Sequence, residues 1–128
     1  MQMAGHKIGQ LSPITNPTPV PTLTYSFTAS NDNVPSDCVA KMKGHSKSVW
    51  ECSFSNDRRL LATASFDNTV RLWDVDSYQC IATLNDHSSN VLSCKFSPDD
   101  THVASASNDE TVRLWNVKSH RCIATLRG

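Results

Sequence analysis

Residues 69–74 read TVRLWD and residues 111–116 read TVRLWN, so one hexapeptide recurs with a single change after 42 residues. The match extends well beyond the hexapeptides, because segment 38–84 aligns with segment 80–126 without a gap at the same offset. About half of the aligned positions are identical. A repeat of this length indicates an architecture that stacks copies of one small unit around a shared core.

Each copy contains short runs with the composition of β-strands, separated by turn-forming residues such as Asn56-Asp57 and Pro98-Asp99. No apolar period of 3.6 residues competes with them, so the predicted fold class is all-β. The predicted strands of the first copy are 49–55, 60–65, 69–75 and 80–84. Their counterparts in the second copy include 103–107, 111–117 and 122–126. Residues 38–42, which precede the first copy, repeat the pattern of the fourth strand.

The copies resemble WD40 repeats. Gly44-His45 is followed by Trp73-Asp74 in the first copy, and Asp86-His87 is followed by Trp115-Asn116 in the second. The resemblance covers residues 38–128 and implies a β-propeller, in which every blade is a four-stranded antiparallel sheet. For this chain it implies two blades of an incomplete propeller, with repeat 1 at about 43–84, repeat 2 at about 85–126 and the start of a third at 127–128.

The resemblance also implies a hydrogen-bonded chain in each repeat, which we call the brace. It joins a histidine, a hydroxyl of the second strand, an aspartate of the next turn and the tryptophan of the third strand, and it satisfies polar groups that blade packing would strand. The predicted brace residues are His45, Ser65, Asp67 and Trp73, then His87, Ser107, Asp109 and Trp115. Thr63 could supply the hydroxyl in place of Ser65, and Ser105 in place of Ser107, because residues two apart on a strand share a face.

Partner binding in the family tends to use the rim where the first strand begins and the second turns into the third. The candidate rim residues are Ser48, Trp50, Phe66, Asn90, Leu92 and Asn108. Phe66 is the better surface candidate, because its counterpart Asn108 is polar. Alternation along 49–55 favours the core for Trp50, since it places Trp50 on the side of Cys52 and Phe54. Aromatic residues at such a rim would be binding hot spots.

Catalysis, metals and cofactors are not expected. Serine, histidine and aspartate recur in both copies, as structural residues would, and no G-x-S-x-G motif accompanies them. Four glycines leave no phosphate-binding loop. The five cysteines occupy only two positions of the repeat and include no CxxC pair, which favours packing over zinc or disulfides.

The charge balance and the targeting signals limit which partners and which location are expected for this protein. Twelve basic residues balance twelve acidic ones, so neither nucleic acid nor a membrane surface is an expected partner. The first residues lack a secretory signal and no stretch is apolar enough for a membrane span, which predicts cytosol or nucleus.

Residues 1–37 are rich in proline, serine and threonine and are expected to be a disordered leader, with one candidate strand at 23–28. The expected function is a non-catalytic scaffold that binds other proteins or peptides. Two blades cannot close a propeller. The alternative is therefore a truncated remnant or splice form that acts only by assembling with other propeller chains, including through self-association.

Overall fold

The computed structural model describes residues 24–26 and 38–128, and all regular structure within them is β-strand. Strands β1 and β2 form a short parallel pair, and two four-stranded antiparallel sheets follow. This confirms the all-β class with two sheets of the predicted kind. The strands are β1 Thr24–Ser26, β2 Cys38–Lys41, β3 Val49–Phe54, β4 Leu60–Ser65, β5 Val70–Asp74, β6 Cys80–Leu84, β7 Val91–Phe96, β8 His102–Ser107, β9 Thr111–Asn116 and β10 Cys122–Arg127.

Consecutive strands are neighbours in both sheets. The first sheet has the order β3-β4-β5-β6, and the second has the equivalent order β7-β8-β9-β10. The predicted strand at 23–28 contains β1, and the extra run at 38–42 contains β2. The rest of the predicted leader, residues 1–23 and 27–37, lies outside the described residues.

A β-bulge interrupts the first strand of each sheet. Val49 pairs with Ser65, but the next paired residue is Glu51, so Trp50 is an extra residue without a place in the ladder. Leu92 is the extra residue at the same position of β7. The extra residue reverses the alternation, because Val49 and Cys52 then point inward while Trp50 points outward. The predicted grouping of Trp50 with Cys52 was therefore wrong.

The main core lies between the two sheets, where β7 packs against β3 and β4. One face of the first sheet contributes five side chains, and the second sheet covers them with four. The small alanine side chains on β4 allow the second sheet to pack close to the first. The nine buried residues are Ala62, Ala64, Val70, Leu72 and Leu84 from the first sheet and Val91, Cys94, Val103 and Trp115 from the second.

The opposite face of the first sheet forms a smaller core with the end of the preceding segment. Met42 packs there with Val49, Cys52, Leu61 and Trp73. Met42 thus has the position that Leu84 has toward the second sheet, 42 residues later. Among the cysteines, two are buried, three are partly buried, and all five are free thiols.

A polar contact between turns fastens the sheets to each other; we call it the clamp. The Asp100 carboxylate accepts hydrogen bonds from the backbone N–H of Asn56 at 2.7 Å and of Asp57 at 3.0 Å. The Asn56 side-chain amide donates to the same carboxylate at 3.1 Å and to the Pro98 carbonyl at 3.0 Å. The β3–β4 turn of the first sheet is thereby held on the β7–β8 turn of the second.

The clamp can be tested with Asp100→Asn. Asparagine tolerates the left-handed backbone of this position, where φ is 63°, but it replaces one accepting oxygen by a donor. We expect the free energy of unfolding to fall by about 1 kcal/mol in urea denaturation. Asp76→Asn, which changes an exposed aspartate of another turn, should alter it by less than about 0.5 kcal/mol. Equal effects of the two substitutions would show that the clamp contributes nothing.

Candidate functional site

The brace of the first repeat links four side chains, which come from the loop before β3, from β4, from the β4–β5 turn and from β5. Trp73 Nε1 donates to Thr63 Oγ1 at 2.8 Å, and Thr63 Oγ1 lies 2.7 Å from His45 Nε2. His45 Nδ1 lies 2.8 Å from Asp67 Oδ2. A neutral imidazole protonated on Nδ1 gives every bond in this chain one donor and one acceptor.

The second repeat forms the same chain with a serine. Trp115 Nε1 donates to Ser105 Oγ at 2.9 Å, Ser105 Oγ lies 2.7 Å from His87 Nε2, and His87 Nδ1 lies 2.8 Å from Asp109 Oδ2. Both histidines also meet their tryptophans edge to face, with ring centroids 6.3 Å apart. The loop before each sheet is therefore tied through a buried hydroxyl to the centre of that sheet.

The hydroxyls named in the predicted brace, those of Ser65 and Ser107, are not part of this chain. Ser65 Oγ donates to the Lys47 carbonyl at 3.2 Å and accepts from the Asp67 backbone N–H at 3.0 Å. Ser107 does the same with Ser89 and Asp109. Both serines end their strands, where they bond to the preceding loop and the following turn, whereas the hydroxyls of residues 63 and 105 lie within hydrogen-bond distance of the indole nitrogen. The Ser65 and Ser107 assignments are corrected to Thr63 and Ser105.

The two brace aspartates are held as carboxylates. Burial raises the pKa of Asp67, but hydrogen bonds from His45 and Thr69 outweigh it, and the pKa lies well below its ordinary value. Burial acts in the same direction on Asp109, and there the hydrogen bonds from Thr111 and His87 prevail, so its pKa is also lowered. Each carboxylate accordingly accepts from a backbone N–H, a hydroxyl and an imidazole.

Asp109, His87 and Ser105 have the connectivity of a hydrolase triad, but their surroundings differ from those of one. Ser105 is 1% exposed and His87 is 4% exposed, so a substrate carbonyl has no path to the hydroxyl. The hydroxyl oxygen already accepts the Trp115 N–H. The set therefore has the geometry of a structural network.

Arg71 lies partly buried against the brace. Arg71 Nη1 donates to Cys80 Sγ at 3.4 Å, and its guanidinium carbon lies 6.0 Å from the centre of the Trp73 ring. A Cβ on Gly44 would lie 2.6 Å from Arg71 Nη1, so this arginine would have to shift if residue 44 had a side chain. In the second repeat Asp86 replaces that glycine, and its carboxylate lies 3.8 Å from Arg113 Nη1. The change from Gly44 to Asp86 between the two copies is the feature of the sequence that could have indicated this contact with the arginine.

The predicted rim residues of each repeat lie together beside the bulge. Phe66 N donates to the Ser48 carbonyl, and Asn108 N donates to the Asn90 carbonyl, both at 2.9 Å. Trp50 is 57% exposed, and its ring stacks on that of Phe66 with centroids 4.9 Å apart and planes at 22°. The expectation that Trp50 is a core residue was wrong. Ser48 and Asn108 are exposed, whereas Asn90 and Leu92 are half-buried.

Within the described residues, no group of three His, Cys, Asp or Glu side chains is placed to hold a metal ion. No helix in that part of the chain has the length and hydropathy of a membrane span.

Two packed four-stranded antiparallel sheets, each with the same hydrogen-bonded brace, are typical of a β-propeller repeat protein. Comparison with protein-family models matches the WD domain, G-beta repeat, at residues 36–74 and 78–116. These segments make up more than half of the chain, which therefore belongs to the WD40 repeat family.

Individual relatives share one repeat with this chain. Protein HIRA of Dictyostelium discoideum is 38% identical over 42 residues, which are 33% of this chain and 4% of that protein. Ribosome assembly protein 4 of Saccharomyces cerevisiae is 50% identical over 36 residues, 28% of this chain and 7% of that protein. Transducin beta-like protein 2 of Mus musculus is 53% identical over 36 residues, 28% of this chain and 8% of that protein. The chain thus spans less than a tenth of these relatives.

Proposed function

We propose that this chain is a non-catalytic interaction module that binds a segment of another protein at the rim beside the bulges. The observation that carries the proposal is the exposed Trp50 stacked on Phe66. An indole that is more than half exposed gains little from folding, yet the stack fixes its orientation. A rigid aromatic surface binds a partner with a small loss of conformational entropy.

The neighbouring rim residues supply polar groups around the aromatic pair. Ser48 lies one residue before the bulged strand, and Asn90 and Asn108 provide the equivalent polar edge in the second repeat. Leu92 is half-buried at the bulge of β7, the position that is equivalent to Trp50 in the first repeat. An apolar centre with a polar border is the usual composition of a protein-binding surface.

A non-catalytic role is supported by the burial of Ser105 and His87, which removes the hydroxyl and the imidazole of the Ser–His–Asp set from solvent. A location in the cytosol or nucleus is supported by five free thiols, since paired cysteines predominate in oxidising compartments. The balanced charge of the chain supports a protein partner over nucleic acid.

The proposal predicts that Trp50→Ala and Phe66→Ala each weaken partner binding about thirtyfold or more, which corresponds to a hot spot of about 2 kcal/mol or more. Proteins captured by the wild-type chain would be purified, and their dissociation constants measured directly for each variant. Tyr78→Ala is the matched control, because Tyr78 is 39% exposed in a turn at the opposite end of the first sheet. Unchanged affinity for both rim variants, or an equal loss with Tyr78→Ala, would refute the proposal.

A further inference from the structure

The two repeats present different side chains at equivalent positions of the rim. Leu92 and Asn108 in the second repeat replace the stacked pair of Trp50 and Phe66 in the first. The backbone is the same in both places, because each first strand has its bulge there and each turn donates to the loop before that strand at 2.9 Å. The difference between the two rims is therefore one of side-chain chemistry alone.

The charge of the rim also differs between the repeats. Lys47 is exposed in the loop before β3, and its counterpart in the second repeat is the uncharged Ser89. Glu110 is exposed in the β8–β9 turn, and its counterpart in the first repeat is the uncharged Asn68. A basic side chain thus accompanies the first repeat, and an acidic side chain accompanies the second.

The carboxylates of the braces increase this difference. Asp109 directly precedes Glu110, so the β8–β9 turn carries two carboxylates; we call it the acidic turn. In the first repeat, Lys47 opposes the single carboxylate of Asp67, because the Lys47 carbonyl accepts from the Ser65 hydroxyl in the same turn at 3.2 Å. The twelve basic and twelve acidic residues of the whole chain conceal this local imbalance.

We propose that the rim binds an extended segment that places an aromatic or aliphatic residue on the Trp50–Phe66 stack and a lysine or arginine on the acidic turn. This inference rests on the proposed function and adds the chemistry of the partner to it. Sheets that pack face to face lie about 10 Å apart, and an extended chain advances about 3.3 Å per residue. The basic residue of the segment therefore lies about three or four residues from its apolar residue.

Lys47 restricts where the basic residue of the segment can lie. A lysine or arginine next to the apolar residue would approach the ammonium group of Lys47, and like charges repel. The acidic turn attracts the same residue on the second repeat. Since an exposed ion pair contributes little to affinity, the charges act mainly by selecting one spacing over another.

The test selects ligands for the full 128-residue chain from a phage-displayed library. The library contains random peptides of about 12 residues, which are long enough to span both repeats when extended. We expect retained peptides to carry an aromatic or aliphatic residue with lysine or arginine three or four residues away. Compared with the unselected library, this spacing should be enriched about twofold to fivefold, the range of an exposed ion pair.

Two substitutions of Glu110 separate the charge from the fold. Glu110→Asn copies Asn68 of the first repeat, which adopts the same left-handed backbone with φ of 76° beside 71° for Glu110. It should abolish the enrichment of basic residues and keep the preference for an apolar residue. Glu110→Lys should enrich aspartate and glutamate at that spacing instead. Asp76→Lys, the matched control, makes the same change of charge in an exposed turn at the opposite end of the first sheet and should change nothing.

The outcomes distinguish this inference from the proposed function. An apolar preference without basic enrichment in the wild-type selection, or with an enrichment that persists in Glu110→Asn, would overturn the inference and leave the proposed function intact. An excess of acidic residues in the wild-type selection would do the same, because Lys47 would then determine the charge of the partner. If Trp50→Ala retained the same peptides as the wild type, or if no peptide were retained at all, both proposals would fail.

Discussion

Replacing Thr63 by valine is expected to lower the free energy of unfolding by about 2–5 kcal/mol, although the two side chains have nearly the same shape. The Thr63 hydroxyl accepts from Trp73 Nε1 and bonds to His45 Nε2, and all three side chains are 7% exposed or less. Valine would leave a buried indole N–H and a buried imidazole nitrogen without partners. An unsatisfied buried group costs about 1–3 kcal/mol, and here there are two.

The chain itself provides the control for this substitution. Ser105 performs the same role in the second repeat at the same distances to within 0.1 Å, so Thr63→Ser should preserve the brace and lose only the packing of one methyl group. Ser65→Ala, which removes the neighbouring hydroxyl, should cost about 1 kcal/mol. Urea unfolding at one fixed protein concentration gives the three values. A larger loss for Ser65→Ala than for Thr63→Val would reverse the assignment of the hydroxyl.

What the sequence predicts well is whatever both copies share. The 42-residue offset places four strands in each copy, and the structure has them with ends that differ by at most one residue. The resemblance to WD40 repeats implies the histidine, aspartate and tryptophan of the brace, and the offset repeats them in both copies. Repetition is informative because two copies that bury equivalent faces are under the same packing constraints.

Features that depend on the position of a single residue were harder to predict from the sequence. Alternation assumes an unbroken ladder, so it could not show that Trp50 is an extra residue at a bulge. Residues 63 and 65 share a face, and only the position of the indole nitrogen in the folded sheet distinguishes them. A bulge and a hydrogen-bond distance are set by tertiary packing, which a local pattern does not contain.

Contacts that differ between the two copies were also not predicted from the sequence. The clamp requires Asn56 in the first repeat and Asp100 in the second, and their counterparts are Pro98 and Arg58. A comparison of the copies treats such positions as variable. They are instead the positions where the junction between two particular sheets is specified, and they give each sheet a preferred neighbour.

The histidine of each brace couples the loop before the sheet to the turn that carries the rim. Asp67 accepts from His45 and from the backbone N–H of Ser46, and Ser65 in the same turn bonds to the Lys47 carbonyl. Phe66 lies between the two turn residues and stacks on Trp50. The aromatic pair proposed to bind a partner thus stands on a turn that several side-chain hydrogen bonds hold in place.

Acidification should destabilise the fold steeply below about pH 4, because an unfolded aspartate takes up a proton near that pH. The pKa values of Asp67 and Asp109 are lowered in the folded chain, so the unfolded state binds more protons than the folded state as the pH falls. The stability that these carboxylates confer is complete above their unfolded pKa and is lost as the pH drops toward the folded values. We expect each to contribute about 1.5–3 kcal/mol, the scale of hydrogen bonds to a charged group.

Urea unfolding between pH 7 and pH 3 measures this dependence, and variants assign it. Asp67→Asn and Asp109→Asn should lower stability at pH 7, and each should flatten the decline below pH 4, since asparagine binds no proton there. Combining them should flatten the decline further, and the slope that remains would come from Asp99, Asp57 and Asp74, whose pKa values are also lowered. Glu110→Gln changes an exposed carboxylate in the same turn as Asp109 and should leave the slope in place. If the double variant declined as steeply as the wild type, the acid sensitivity would belong to other carboxylates and the brace would not depend on its charge.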